Sequence, residues 1–178
     1  VRSDESEAIT ISEVGAAQRH PAGQGLSVVG SEMLVMAAQR GLLCWDSNNR
    51  QASFSNYSFV GLPRNETFVA AGRHWFYVTN DKSNFLMALR HCDGYPTLMP
   101  ERRRVPDASF HGVPMVVGGA ESLLIVPGQG RLHTVELDQD GVMGSDYGVV
   151  EIAGLSRYAL LAWSERFDRL YIPVEELP

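Results

Sequence analysis

Short apolar runs broken by turn residues recur along the chain in one fixed order. Val28-Val29-Gly30 is followed by Met33 to Met36 and then by Leu42 to Asp46. The series returns as Ala70-Ala71-Gly72, Trp75 to Val78 and Phe85 to Leu89, and again as Val116-Val117-Gly118, Leu123 to Val126 and Leu132 to Glu136. Leu160-Leu161-Ala162, with Leu170 to Ile172, begins a further copy. Runs this short, bounded by Gly, Asn, Asp and Pro, read as strands joined by tight turns. Thr79 to Asn84 and Pro127 to Arg131 hold residues that tolerate positive φ, and each predicts a turn from second strand to third. A fourth strand reads as Ala52 to Val60 in the first copy and Gly148 to Ala153 in the third. In the second copy Pro96, Pro100 and Pro106 reduce the segment to an edge or a loop, since proline cannot donate to a ladder. Upstream, Ala8 to Val14 alternates apolar and polar, the pattern of a half-buried strand.

Self-similarity at about 42 to 46 residues marks repeated units that cannot bury their faces alone. The fold class this predicts is all-β: antiparallel β-propeller blades, in a partial or small propeller. Trp75 to Val78 and Leu123 to Val126 are continuously apolar, as in strands covered on both faces, which stacked blades supply. The expected organisation is a disordered acidic N-terminus over 1–7 and a single domain over 8–178. Its blade-like repeats are 26–62, 66–110, 113–154 and 158–178, the last joined by strand 8–14. Propellers have four to eight blades, so the ring is expected to be completed by that early strand or by an oligomer.

Two segments also satisfy the rules for helices. Ser31 to Gly41 carries an N-cap, good helix formers and a glycine stop. Leu155, Tyr158, Ala159, Ala162, Trp163, Phe167, Leu170 and Tyr171 recur at three- and four-residue spacing. Helices there define the alternative, an α+β sheet with a terminal helix. Such a module looks like a polo-box domain, a resemblance that implies phosphopeptide binding or dimerisation. The turn spacing shared by three copies favours the blades.

Leu42-Leu43-Cys44-Trp45-Asp46 resembles the end of a WD40 repeat, where a Trp-Asp pair closes an apolar strand. By period the resemblance extends over about residues 26 to 172. Later copies read Met87-Ala88-Leu89 and Thr134-Val135-Glu136 at that place, without the pair. The resemblance implies a divergent WD40-like propeller acting as a rigid platform for peptides and other subunits, with Trp45-Asp46 as a blade-locking pair.

Composition narrows the function. The 178-residue chain has a formal net charge of -6, its cations are nearly all arginine, and Lys82 is its one lysine. An acidic chain lacks the basic face that phosphate backbones require, so no nucleic acid is expected. No apolar run approaches the roughly 20 residues that span a bilayer, so no membrane is expected. Cys44 and Cys92 are too few for a disulfide framework, and the chain is expected in a reducing, intracellular compartment, cytoplasm or nucleus. The start, without Met and without an apolar signal region, reads as an excised or processed piece of a longer chain.

The chemical motifs are mostly turns. Asp138-Gln139-Asp140-Gly141, with Asp146 nearby, places its glycine too early for a calcium loop and reads as a hairpin turn. Gly118-Gly119 and Gly128-Gln129-Gly130 have no following helix or phosphate-binding lysine, so they are turn glycines. His20, His74, His91, His111 and His133 lack metal-ligand spacing, and His91-Cys92 would point to opposite strand faces. No catalytic, cofactor or metal residue is assigned. Arg102-Arg103-Arg104, between Pro100 and Pro106, reads as a protruding loop whose guanidinium groups match carboxylate or phosphate. Trp75, Phe76, Tyr77 and Phe85 read as packing between blades, and Trp75 and Tyr77, where exposed, as anchors for a partner. The expected function is a non-catalytic protein–protein interaction scaffold within a larger assembly, its partners being other proteins and acidic or phosphorylated peptides. A propeller hydrolase with a central metal is the enzymatic alternative, and the Val, Ala and Gly inner elements argue against it.

Overall fold

The computed structural model describes residues 26–29, 33–38, 41–46, 51–55, 67–81, 84–92, 95–96, 101–105, 110–118, 121–156 and 159–175. The expected N-terminal segment 1–7 and the expected strand 8–14 lie outside them. The first sheet consists of β1 (Leu26–Val29), β2 (Met33–Ala38), β3 (Gly41–Asp46) and β4 (Gln51–Ser55), paired antiparallel in chain order. The second holds β5 (Thr67–Ala71), β6 (Trp75–Asn80) and β7 (Phe85–Cys92). The long β7 then pairs at its two ends with β8 (Tyr95–Pro96) and β9 (Glu101–Arg104). The third repeats the first with β10 (Met115–Val117), β11 (Leu123–Gly128), β12 (Arg131–Leu137) and β13 (Met143–Glu151). A hairpin, β14 (Ala162–Ser164) and β15 (Arg169–Tyr171), follows across a short 3-10 turn.

Each sheet is a meander whose edges and faces must be covered by its neighbours. The second and third sheets meet across one core. Ala70, Tyr77 and Ala88 stand side by side across β5, β6 and β7, and they pack against Leu124, Val126, Val135, Leu137 and Met143. Every residue of β6 is buried, so its unbroken apolar run reflects cover on both faces. The opposite face of the third sheet packs Val117, Ile125 and Leu132 against Leu155, Ala159 and Leu161, with Trp163 and Leu170 of the final hairpin. Strand β5 lies beside β1, β2 and β10, so the inner strands of successive sheets are neighbours.

These are stacked antiparallel propeller blades, and the α+β alternative is overturned. Within the stretch Ser31 to Gly41, where the alternative placed a helix, Met33–Ala38 is β2 and Gly41 opens β3. The stretch from Leu155 to Tyr171 contains an isolated bridge at Leu155, then β14, the 3-10 turn and β15. Good helix formers were present in both, but a two-sided apolar surface between neighbouring sheets outweighs intrinsic propensity. The second blade also corrects the loop expectation. Glu101–Arg104 is a strand, β9, paired with Phe85 to Ala88 of β7. Pro100 and Pro106 flank this edge strand and do not interrupt it, which a ladder tolerates.

Candidate functional site at the junction of the second and third blades

Five residues were singled out as contacts, and the structure sorts them by their place across the sheet. Trp75 and Tyr77 begin β6 on the face toward the third blade and are buried, at 8% and 1% exposure. They are therefore not surface anchors. Trp75 donates its indole N–H to the Asp140 carbonyl at 2.8 Å, and Tyr77 donates its hydroxyl to the Gly141 carbonyl at 2.5 Å. Arg103, half-buried on β9, donates to the Met143 carbonyl at 3.4 Å. Three of the five thus converge on one stretch of backbone, the turn from β12 into β13. Large amphipathic side chains suit both partner binding and this internal role, because a buried Tyr or Trp needs a polar partner.

That turn is built to receive them. Asp138 accepts from the amides of Asp140 and Val142 through Oδ1, at 2.9 and 2.8 Å. Gly141 closes it by donating its backbone N–H to the Asp138 carbonyl, at φ +77°. The Asp-Gly hairpin reading holds, and the aspartate carboxylate is occupied in shaping the turn. A second tie lies beside it. The backbone N–H of Arg73 donates to the Glu121 carboxylate, and Glu121 holds a left-handed φ of 53° after Gly118. Non-glycine residues adopt that region rarely, and there the surroundings fix it. Burial first, then the Glu121 and Asp138 charges, raise the pKa of Tyr77 above its ordinary value. Its hydroxyl therefore stays a donor.

Arg73, His74, Glu121, Gln139, Asp140 and Gly141 line a small polar cleft over this junction. Among the described residues, no three His, Cys, Asp or Glu side chains cluster as a metal site. Deeper in the junction His133 is buried against Phe110, the rings edge to face at 5.6 Å, and neither ring nitrogen has a hydrogen-bond partner. Burial, then Arg131, lower its pKa, against an opposing push from Glu151.

Arg102 and Arg104 are exposed on β9. They share a sheet face with Met87 and Phe85, their cross-strand partners, and Phe85 is exposed. Glu121, His133 and the receiving carbonyls were not found from sequence. Each matters through a contact with a distant segment, and no local pattern marks that.

No protein-family model matches the chain. No curated protein matches it either. Among solved structures, apo AztD from Citrobacter koseri is similar with a TM-score of 0.55 and 14% identity, over 87% of this chain and 42% of AztD. A structural-genomics protein from Lactobacillus plantarum is similar with a TM-score of 0.58 and 14% identity, over 90% of this chain and 56% of that one. The fold is propeller-like. The chain spans about half the length of these two structures, and at this identity the likeness is one of fold alone.

Proposed function

We propose that this chain is a non-catalytic interaction module, a set of propeller blades that holds other proteins at its rim. The observation that supports it is the outer strand of the second blade. With Arg103 turned to the third blade, Arg102 and Arg104 are left exposed beside Phe85. They form a basic and partly aromatic strip on a chain of net charge -6. Guanidinium groups on a rigid strand suit an acidic or phosphorylated peptide, because fork-shaped donors match carboxylate and phosphate. Because the blades fix the strand by pairing with β7, little ordering is lost on binding.

Fluorescence anisotropy with a phosphorylated peptide, its glutamate version and a neutral version tests this. Arg102→Glu with Arg104→Glu is expected to weaken the acidic peptides at least roughly tenfold, with the far-UV dichroism unchanged. Equal affinity for acidic and neutral peptides, or capture indifferent to the charge reversal, overturns the reading.

A further inference from the structure

The outer strands of the second and third blades are protected to very different degrees. Strand β9 is short, fully charged as Glu101-Arg102-Arg103-Arg104, and set between prolines. These are the devices by which sheet edges avoid pairing with other chains. Strand β13 is less protected, with Asp146 and Glu151 as its charges and a bulge toward its start. It runs from Met143 to Glu151, about 30 Å at the usual rise, with no proline and no lysine. It is hydrogen-bonded to β12 alone among the described strands. Every residue from Ser145 to Glu151 is exposed, including Tyr147 at 43%, Val149 at 44% and Val150 at 50%. From Tyr147 to Glu151 the pairing with β12 is regular, the bulge lying nearer Leu137. The open side is thus a regularly paired, uncharged run, Tyr147-Gly148-Val149-Val150.

We propose that the open edge of β13 is a strand-addition site for an extended segment of a partner protein, apolar in its middle and basic at its ends. Main-chain hydrogen bonds supply the affinity in such pairing, and alternate side chains supply the choice of partner. The charges select the occupant. Asp146 and Glu151 bracket the uncharged run. A second copy pairing through the same edge brings no cation to either carboxylate, since β13 holds no lysine or arginine. Opposite charges across a pair stabilise it. Glu151 already has Arg131 at 3.4 Å, whereas among the described residues Asp146 receives the Ser145 hydroxyl at 3.1 Å. An arginine or lysine from the incoming strand completes it.

The test uses the full chain and a labelled synthetic peptide with an alternating Thr-Val centre and an arginine at each end. A twin with glutamates replaces the charges, and another is N-methylated along its centre. Saturable binding of the arginine peptide is expected. The N-methylated twin, the glutamate twin, and the Tyr147→Lys with Val149→Lys protein are each expected to lose roughly tenfold or more. The Arg102→Glu, Arg104→Glu protein is expected to bind this peptide unchanged, which separates this edge from the arginine strip. No saturable binding, or equal binding by the N-methylated twin or by the lysine variant, overturns the proposal. So does a dimer in sedimentation equilibrium that the lysine variant dissolves, since β13 is then occupied by a second copy.

Discussion

Replacing Gly141 by alanine tests the tie between blades, with Gly130 as its control. Both glycines sit in the left-handed region, at φ +77° and +66°. An alanine costs about 1–2 kcal/mol at either for backbone reasons alone. Their surroundings differ. A Cβ on Gly141 lies 2.9 Å from Trp75 Cδ1 and 3.0 Å from Tyr77 Oη, whereas one on Gly130 meets nothing within 4 Å. Carbon atoms rest about 3.5–4.0 Å apart, so the turn must lift or the rings must move. Overpacking of this kind costs about 1–3 kcal/mol. Lifting also stretches the bonds from Trp75 and Tyr77, each contributing about 0.5–1.5 kcal/mol. G141A is therefore expected to lose at least about 1–3 kcal/mol more than G130A. Urea unfolding followed by tryptophan fluorescence, with linear extrapolation, measures both. The penalty of G141A is also expected to shrink when Tyr77→Phe removes the nearby oxygen, a non-additivity typical of touching groups. Equal losses for G141A and G130A would refute the inter-blade contact.

Three further outcomes follow from the same junction. Tyr77→Phe keeps the ring but leaves the Gly141 carbonyl without its donor, an expected loss of about 1–2 kcal/mol, and no measurable change in unfolding free energy contradicts it. Arg103→Met removes a partly buried cation whose Nη1 has no partner and whose bond to the Met143 carbonyl is 3.4 Å long. Stability is expected to stay within about 1 kcal/mol, and a much larger fall means that Arg103 holds the blades together. For His133 the folded pKa is lowered, so the unfolded chain takes the proton first. Its contribution is complete above the unfolded value near 6.5 and drains as pH falls below it, by up to about 1.4 kcal/mol per unit. His133→Leu is expected to flatten that dependence, measured by urea midpoints at about pH 7.5 and 5.5, and an unaltered slope assigns it to other groups.

The blades were legible because each repeat writes its strands and turns locally. Trp75 to Val78 signalled two-sided burial by being continuously apolar, and Asp138 to Gly141 signalled its turn by residue type. The helical reading of Ser31 to Gly41 failed for a physical reason: propensity is counted within the segment, whereas the neighbour that decides between strand and helix is elsewhere. Arg102 to Arg104 read as a loop because three charges between prolines lack alternation, yet an edge strand needs a buried face only weakly. Strand β13 was half seen. Gly148 to Ala153 was read as a strand, but Met143 to Tyr147, with its Gly, Ser and Asp, carries no periodic signal. Gly148 has a packing cause visible only in three dimensions, since a Cβ there lies 2.5 Å from the Thr134 hydroxyl.

Position across a blade, more than residue type, decides what a side chain is available to do. Trp75, Tyr77 and Arg103 are the residue types that dominate interface hot spots, and they do lie at an interface, but it is the one between two blades of the same chain. An inner strand such as β6 is covered on both faces, so its aromatic residues are committed internally. Outer strands keep an open side: Arg102 and Arg104 on β9, and Tyr147, Val149 and Val150 on β13. The two rims differ in chemistry as well. One carries fixed cations and resists strand pairing, while the other carries unpaired backbone bracketed by Asp146 and Glu151. The two proposed sites lie on separate strands, so the proposals together predict two dissimilar partners held at once. The decisive sign is independence, with the arginine reversal abolishing capture of acidic peptides while leaving the basic-flanked peptide on β13 untouched.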